Sequence, residues 1–89
     1  MLHTPKEIAD FLVKRYGTSP KGIVIHRGEF ERQAERYGVD HNLVRSIDLE
    51  LRSMGYILFD LLKERECIVL MSISMFMESL AQGDVKRAG

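Results

Sequence analysis

Gln33-Ala34-Glu35-Arg36-Tyr37-Gly38-Val39-Asp40-His41-Asn42-Leu43-Val44-Arg45, continued through Leu51-Arg52-Ser53-Met54-Gly55-Tyr56-Ile57, is the stretch that decides the fold. From Glu29 to Tyr37 the pattern is helical, with Phe30, Ala34 and Tyr37 on one face and Gly38 as the stop. Asp40 suits the cap of a second helix running to Met54, with Val44, Ile47, Leu51 and Met54 facing inward and Gly55 ending it. Two helices that cross at a steep angle need a small residue at the crossing. They then need a turn residue tolerant of positive φ and an apolar residue to plug the corner. Ala34, Gly38 and Val39 fill those three roles in that order.

Working outward, Thr4-Pro5-Lys6-Glu7 opens an earlier helix. Thr4 is the cap, Pro5 takes the first helical position, and Glu7 completes a capping box. Ile8, Phe11, Leu12 and Tyr16 share a face, Gly17 reads as a left-handed stop, and Thr18-Ser19-Pro20 reads as a loop. Gly22 to His26 is short and β-branched, hence a strand. Tyr56–Lys63 and Cys67–Ser72 are apolar runs separated by Glu64-Arg65-Glu66, the pattern of a β-hairpin. A helical continuation through Leu62 is the alternative; Gly55 and the β-branched and aromatic content favour strand. Met75 to Ala81 reads as a short terminal helix. The expected organisation is one α+β domain over 1–82 and a frayed polar tail over 83–89.

Eighty-nine residues leave no room for two cores. Thirteen basic residues cancel thirteen acidic ones, without the basic excess usual in nucleic-acid binders. The lone Cys67 excludes an internal disulfide and any cysteine-built metal site. His3, His26 and His41 are far apart, without metal-ligand spacing. There is no Gly-rich phosphate loop and no assembled catalytic constellation, so neither enzyme activity nor a cofactor is expected. No leader or membrane span is apparent, which makes the cytoplasm the expected compartment.

The segments Gly38-Val39-Asp40-His41-Asn42-Leu43-Val44-Arg45 and Leu51-Arg52-Ser53-Met54-Gly55-Tyr56-Ile57 resemble bacterial winged helix-turn-helix regulators, of the GntR type in particular. Such families show a Gly-Val turn, a small polar cap, a Val-Arg pair and a Gly-Tyr-Ile-like exit into the wing. The element order helix, strand, helix, helix, hairpin agrees. The resemblance implies that His41, Asn42, Arg45 and Ser46 face the DNA major groove, where Asn suits adenine and Arg suits guanine. It implies phosphate contacts from Arg27, Arg32, Arg36 and Arg52, and from Lys63 and Arg65 at the wing tip.

Charge and apolar surface pull the other way. From Arg27 to Tyr56 five arginines face six acids, a local net of minus one, whereas DNA affinity is largely a phosphate-charge effect. The solvated ion pair is the bland reading of those arginines. The hairpin is apolar on both faces: Ile57, Phe59 and Leu61 on one, Tyr56, Leu58 and Leu62 on the other, with Ile68 and Leu70 on the return strand. Together with Leu49, Met75, Phe76 and Leu80, these residues suggest a dimer or partner surface. Two functions follow as expectations: a homodimeric DNA-binding regulator, or a protein-binding winged helix that inhibits or adapts to a larger complex, for example a phage-encoded anti-CRISPR protein.

Overall fold

Thr4 starts the first helix in the computed structural model, which describes residues 3–17, 22–35 and 38–88. Helix α1 spans Pro5–Tyr16, strand β1 Ile23–His26, α2 Arg27–Ala34 and α3 His41–Arg52. Strand β2 spans Tyr56–Leu61, the helical turn α4 Leu62–Arg65, β3 Cys67–Ser72 and α5 Ile73–Ala88. The described residues therefore form an α+β structure of five helices and one antiparallel sheet ordered β1-β3-β2. This is compatible with the expected element order. No helix among the described residues is long and apolar enough to cross a membrane. Arg36, Tyr37 and the loop read at Thr18-Ser19-Pro20 lie outside the described residues.

The capping box on α1 is complete. The Thr4 hydroxyl accepts from the Glu7 N–H at 3.2 Å, and the Glu7 carboxylate accepts from the Thr4 N–H at 2.8 Å. The hydrogen bonds from Thr4, backbone first, hold the Glu7 carboxyl below its ordinary value, with His3 adding a smaller Coulombic pull. Because the folded state favours the carboxylate, this contribution is present at neutral pH. It fades as the pH falls below the usual glutamate range.

Gly17 is not a left-handed stop. Its φ of −63° and ψ of −18° are right-handed, and it is small for a different reason. A Cβ there would stand 2.4 Å from the Val13 carbonyl oxygen and 2.9 Å from the Tyr56 hydroxyl, which itself donates to the Gly17 carbonyl at 2.8 Å. Gly17→Ala is therefore expected to destabilise the fold by about 1–3 kcal/mol, an overpacking cost, read as a lower midpoint in urea.

Helix α2 begins two residues earlier than expected, at Arg27, and α3 ends two earlier, at Arg52; three larger departures each come from a side chain or a backbone twist. Helix α2 stops at Ala34, not Tyr37, because Glu35 turns left-handed at φ 55°. Gly38 is also left-handed, at φ 67°. The β2–β3 connection is not a tight charged hairpin turn. Asp60 accepts the Leu62 N–H at 3.1 Å, which breaks the ladder, and Leu62 then drops into the core. Finally, α5 is long rather than short. The Ser72 hydroxyl accepts the Met75 N–H at 3.1 Å, so the helix begins at Ile73, and its backbone runs on to Ala88.

The core lies between the helices and one face of the sheet. Helix α1 packs on α3, and α3 packs on β2. Register places Ile25 beside Ile68 and Leu58 beside Leu70, and all four are buried. Strand alternation turns their neighbours Val24, Ile57, Phe59, Leu61, Val69 and Met71 to the opposite face. That outer face is only partly covered. Phe76 of α5 packs on Phe59 with ring centroids 5.2 Å apart, whereas Val24 is 55% exposed.

Candidate nucleic-acid interface

Helix α3 owes its position to its own stripe: Leu43, Val44, Ile47 and Leu51 are buried. Asp40 caps it, accepting from the Leu43 N–H at 2.9 Å. At 3.6 residues per turn, the side opposite that stripe carries Asn42, Arg45, Ser46, Leu49, Arg52 and Ser53, all exposed. The outward side holds no acid: Asp48 and Glu50 fall at its margins, where both are half-buried.

Asp48 explains why the acids of this region matter less than a count suggests. Its side chain is 13% exposed. One oxygen accepts the Leu58 N–H of β2 at 2.9 Å, and the other accepts Arg52 at 3.0 Å. The carboxylate fastens α3 to the sheet rather than projecting toward a ligand. Asp40 is used as the cap, and Glu31 accepts the Gly38 N–H at 3.1 Å. Three of the six acids counted in this region thus serve the fold.

The expected contact residues divide into three groups. Asn42, Arg45 and Ser46 stand together on the outward side, and among the described residues Arg45 forms no ion pair or hydrogen bond. The Ser46 hydroxyl donates to the Asn42 carbonyl at 3.0 Å, which leaves the Asn42 carboxamide free to meet a ligand. His41, at the first turn, is committed through Nδ1 to the Asp60 carboxylate of β2. Arg52 is tied to Asp48.

Arg27 is tied more firmly. Its Nε donates to Glu66 at 2.7 Å, its Nη1 to the Val39 carbonyl at 3.3 Å, and its backbone N–H to the Glu66 carbonyl at 2.8 Å. It clasps the start of α2 to the end of α4 and to the corner plug. Arg32, Lys63 and Arg65 are exposed and make no ion pair among the described residues. The last two sit on α4 and not on a β-turn tip. Arg36 lies outside the described residues.

No protein-family model, curated protein or solved structure matches this chain.

Several residues read as partner surface belong instead to the chain's own interior. Leu58, Leu62, Ile68 and Leu70 are buried in the core, the three strand residues because their alternation phase faces inward and Leu62 because it opens the helical turn α4. Tyr56 is half-buried against the same core, with its hydroxyl on Gly17. The residues left accessible are Leu49, at 62% exposed, Leu80, and the half-buried Met75 and Phe76. The sequence sets Val69 and Met71 on one face of the return strand, yet the sequence reading places the partner surface on the opposite face; it misses Val24 beside them and Asp60 as the anchor of His41. An aspartate inside an otherwise apolar strand was the available signal for the latter.

Proposed function

We propose that this chain is a winged helix-turn-helix protein that binds duplex DNA through α3, as a homodimer. The order α1-β1-α2-α3-β2-β3, with the sheet ordered β1-β3-β2, supports the winged-helix reading. The observation that carries the DNA reading is the acid-free outward side of α3, with Asn42 beside an unpaired Arg45. Those two side chains have the donors and acceptors to read adenine and guanine edges in the major groove. Arg32, Lys63 and Arg65 supply phosphate contacts. A pool of random-sequence duplexes at low salt tests the reading. Selection is expected to enrich a two-fold symmetric site with half-sites about 34 Å apart, and absence of any binding above background overturns it.

The dimer uses the outer sheet face together with α5, where Met77 is 58% exposed and Leu80 is also open. Leu80→Glu with Met77→Glu places two charges in that contact. The variant is expected to sediment as a monomer where the parent sediments as a dimer, with an unchanged fold by circular dichroism. A parent that is already monomeric at tens of micromolar, roughly the range in which a weak interface of this kind still associates, removes the dimer from the reading.

A second reading is a protein-binding winged helix that inhibits or adapts to a larger complex, as an anti-CRISPR protein does. It is favoured by Leu49, an exposed leucine at the centre of the outward side of α3. Water-exposed apolar area in the middle of a contact surface suits a protein partner better than a phosphate backbone.

A further inference from the structure

Leu49 is the exposed apolar side chain of α3, at 62% exposed, where the other leucines, the valine and the isoleucine of that helix are buried. It shares a line with Asn42, Arg45 and Ser46, at positions i, i+3, i+4 and i+7, so the four side chains leave the same side. Its surroundings on the helix are polar. Arg45 and Ser46 stand one turn before it, Arg52 and Ser53 one turn after it, and all four are exposed. A helix that docks into a protein groove presents several apolar anchors at this spacing. Here there is one, ringed by hydrogen-bonding side chains. Taken alone, Leu49 suits a protein partner. Taken with its neighbours, it suits a polar surface that carries a single apolar projection.

The floor of the DNA major groove is such a surface. Every base edge there offers donors or acceptors, and among the four standard bases thymine alone adds a methyl group. The spacing is also suitable. At about 1.5 Å rise per residue, Leu49 lies about 10 Å along the helix from Asn42 and about 6 Å from Arg45. Base pairs follow one another at about 3.4 Å. A helix lying along the groove therefore sets Leu49 about three base-pair steps beyond Asn42 and about two beyond Arg45. The side chain is also firmly placed, because its neighbour Asp48 ties the helix to the Leu58 N–H of β2 at 2.9 Å.

We infer that Leu49 is a specificity-determining residue, packing on the 5-methyl group of a thymine about three base-pair steps from the adenine met by Asn42, with the guanine met by Arg45 between them. This rests on the DNA reading of α3 and names part of the sequence that α3 would select.

The duplex enriched from the random pool supplies the probe. Deoxyuridine in place of that thymine removes the methyl group and keeps the base pair, and Kd is measured for the parent and for Leu49→Ala on both duplexes. Burying one methyl group is worth about fourfold in affinity, so the parent is expected to lose about that factor for each half-site altered. Leu49→Ala is expected to bind the thymine duplex more weakly than the parent does and to bind the two duplexes alike. Its urea midpoint should match the parent's, since Leu49 supports no core contact of α3. An enriched site without thymine at that step, or an equal loss on deoxyuridine in the parent and in Leu49→Ala, overturns the inference and leaves Asn42 and Arg45 in their roles. A chain that binds no duplex at all overturns the DNA reading, and this inference with it.

Discussion

Replacing Asn42 and Arg45 together by alanine is expected to remove about 2–6 kcal/mol of affinity for a selected duplex, on the basis of about 1–3 kcal/mol for each base-reading pair. Stability should stay within about 0.5 kcal/mol of the parent, as for other exposed substitutions. The structure makes these two effects separable. Both side chains lie on the outward side of α3, and neither supports the fold: the helix is capped by Asp40 and anchored through Asp48. Arg45 has no internal partner to orphan. Fluorescence anisotropy of the duplex, alongside urea melts of the same samples, checks both halves. Binding that survives the double replacement moves the interface off α3. If the parent binds no duplex and the Leu49→Asp variant alone loses a protein partner, the second reading takes its place.

Arg52 and Arg27 make the contrast that gives that test its meaning. Arg52 stands on the same side as Arg45 yet shares its charge with Asp48, and Arg27 is spent on Glu66 and Val39. Removing either one alters the fold and the charge at once, so a loss of binding would not identify a DNA contact. Arg45 is the residue at which charge can be removed alone.

Local signals in the sequence carried much of this architecture. The capping box at Thr4 and Glu7, the cap at Asp40 and the stripe of α3 are contacts between residues three or four apart, so residue type and spacing specify them. What the sequence left open depends on contacts between distant residues. A hairpin apolar on both faces does not reveal which face turns inward; the packing of α1 and α3 decides that, and it buries Leu58, Leu62, Ile68 and Leu70. The arginines of the candidate site look alike in sequence. Their fates diverge because Arg27 meets Glu66 thirty-nine positions away, while Arg45 has no ion-pair or hydrogen-bond partner among the described residues. The α2 stop at Glu35 was hidden for another reason: a non-glycine residue in the left-handed region has no sequence marker.

Phe30→Ala is expected to be the most damaging single change to the fold, costing about 3–5 kcal/mol as a large-to-small core replacement. Helix α2 has eight residues, of which only Phe30 and Ala34 are buried. A helix this short has little stability of its own in water, so one aromatic ring supplies most of what holds it down. Its loss also loosens what α2 positions, namely the left-handed exit at Glu35 and the corner plugged by Val39. A domain of this size has only about 5–15 kcal/mol in total, so the replacement consumes a large share of it. With a urea slope of about 1–3 kcal/mol per molar, the midpoint should fall by at least about 1 M. Phe30→Leu keeps most of the buried volume and should cost less than about 2 kcal/mol. The two core variants also bear on the interface. Whatever fraction of Phe30→Ala remains folded should bind duplex with reduced affinity if the α2–α3 corner positions Asn42 and Arg45, whereas Phe30→Leu should bind as the parent does. A midpoint for Phe30→Ala within about 0.3 M of the parent, less than 1 kcal/mol at the upper slope, would mean that α2 is held by something other than its ring.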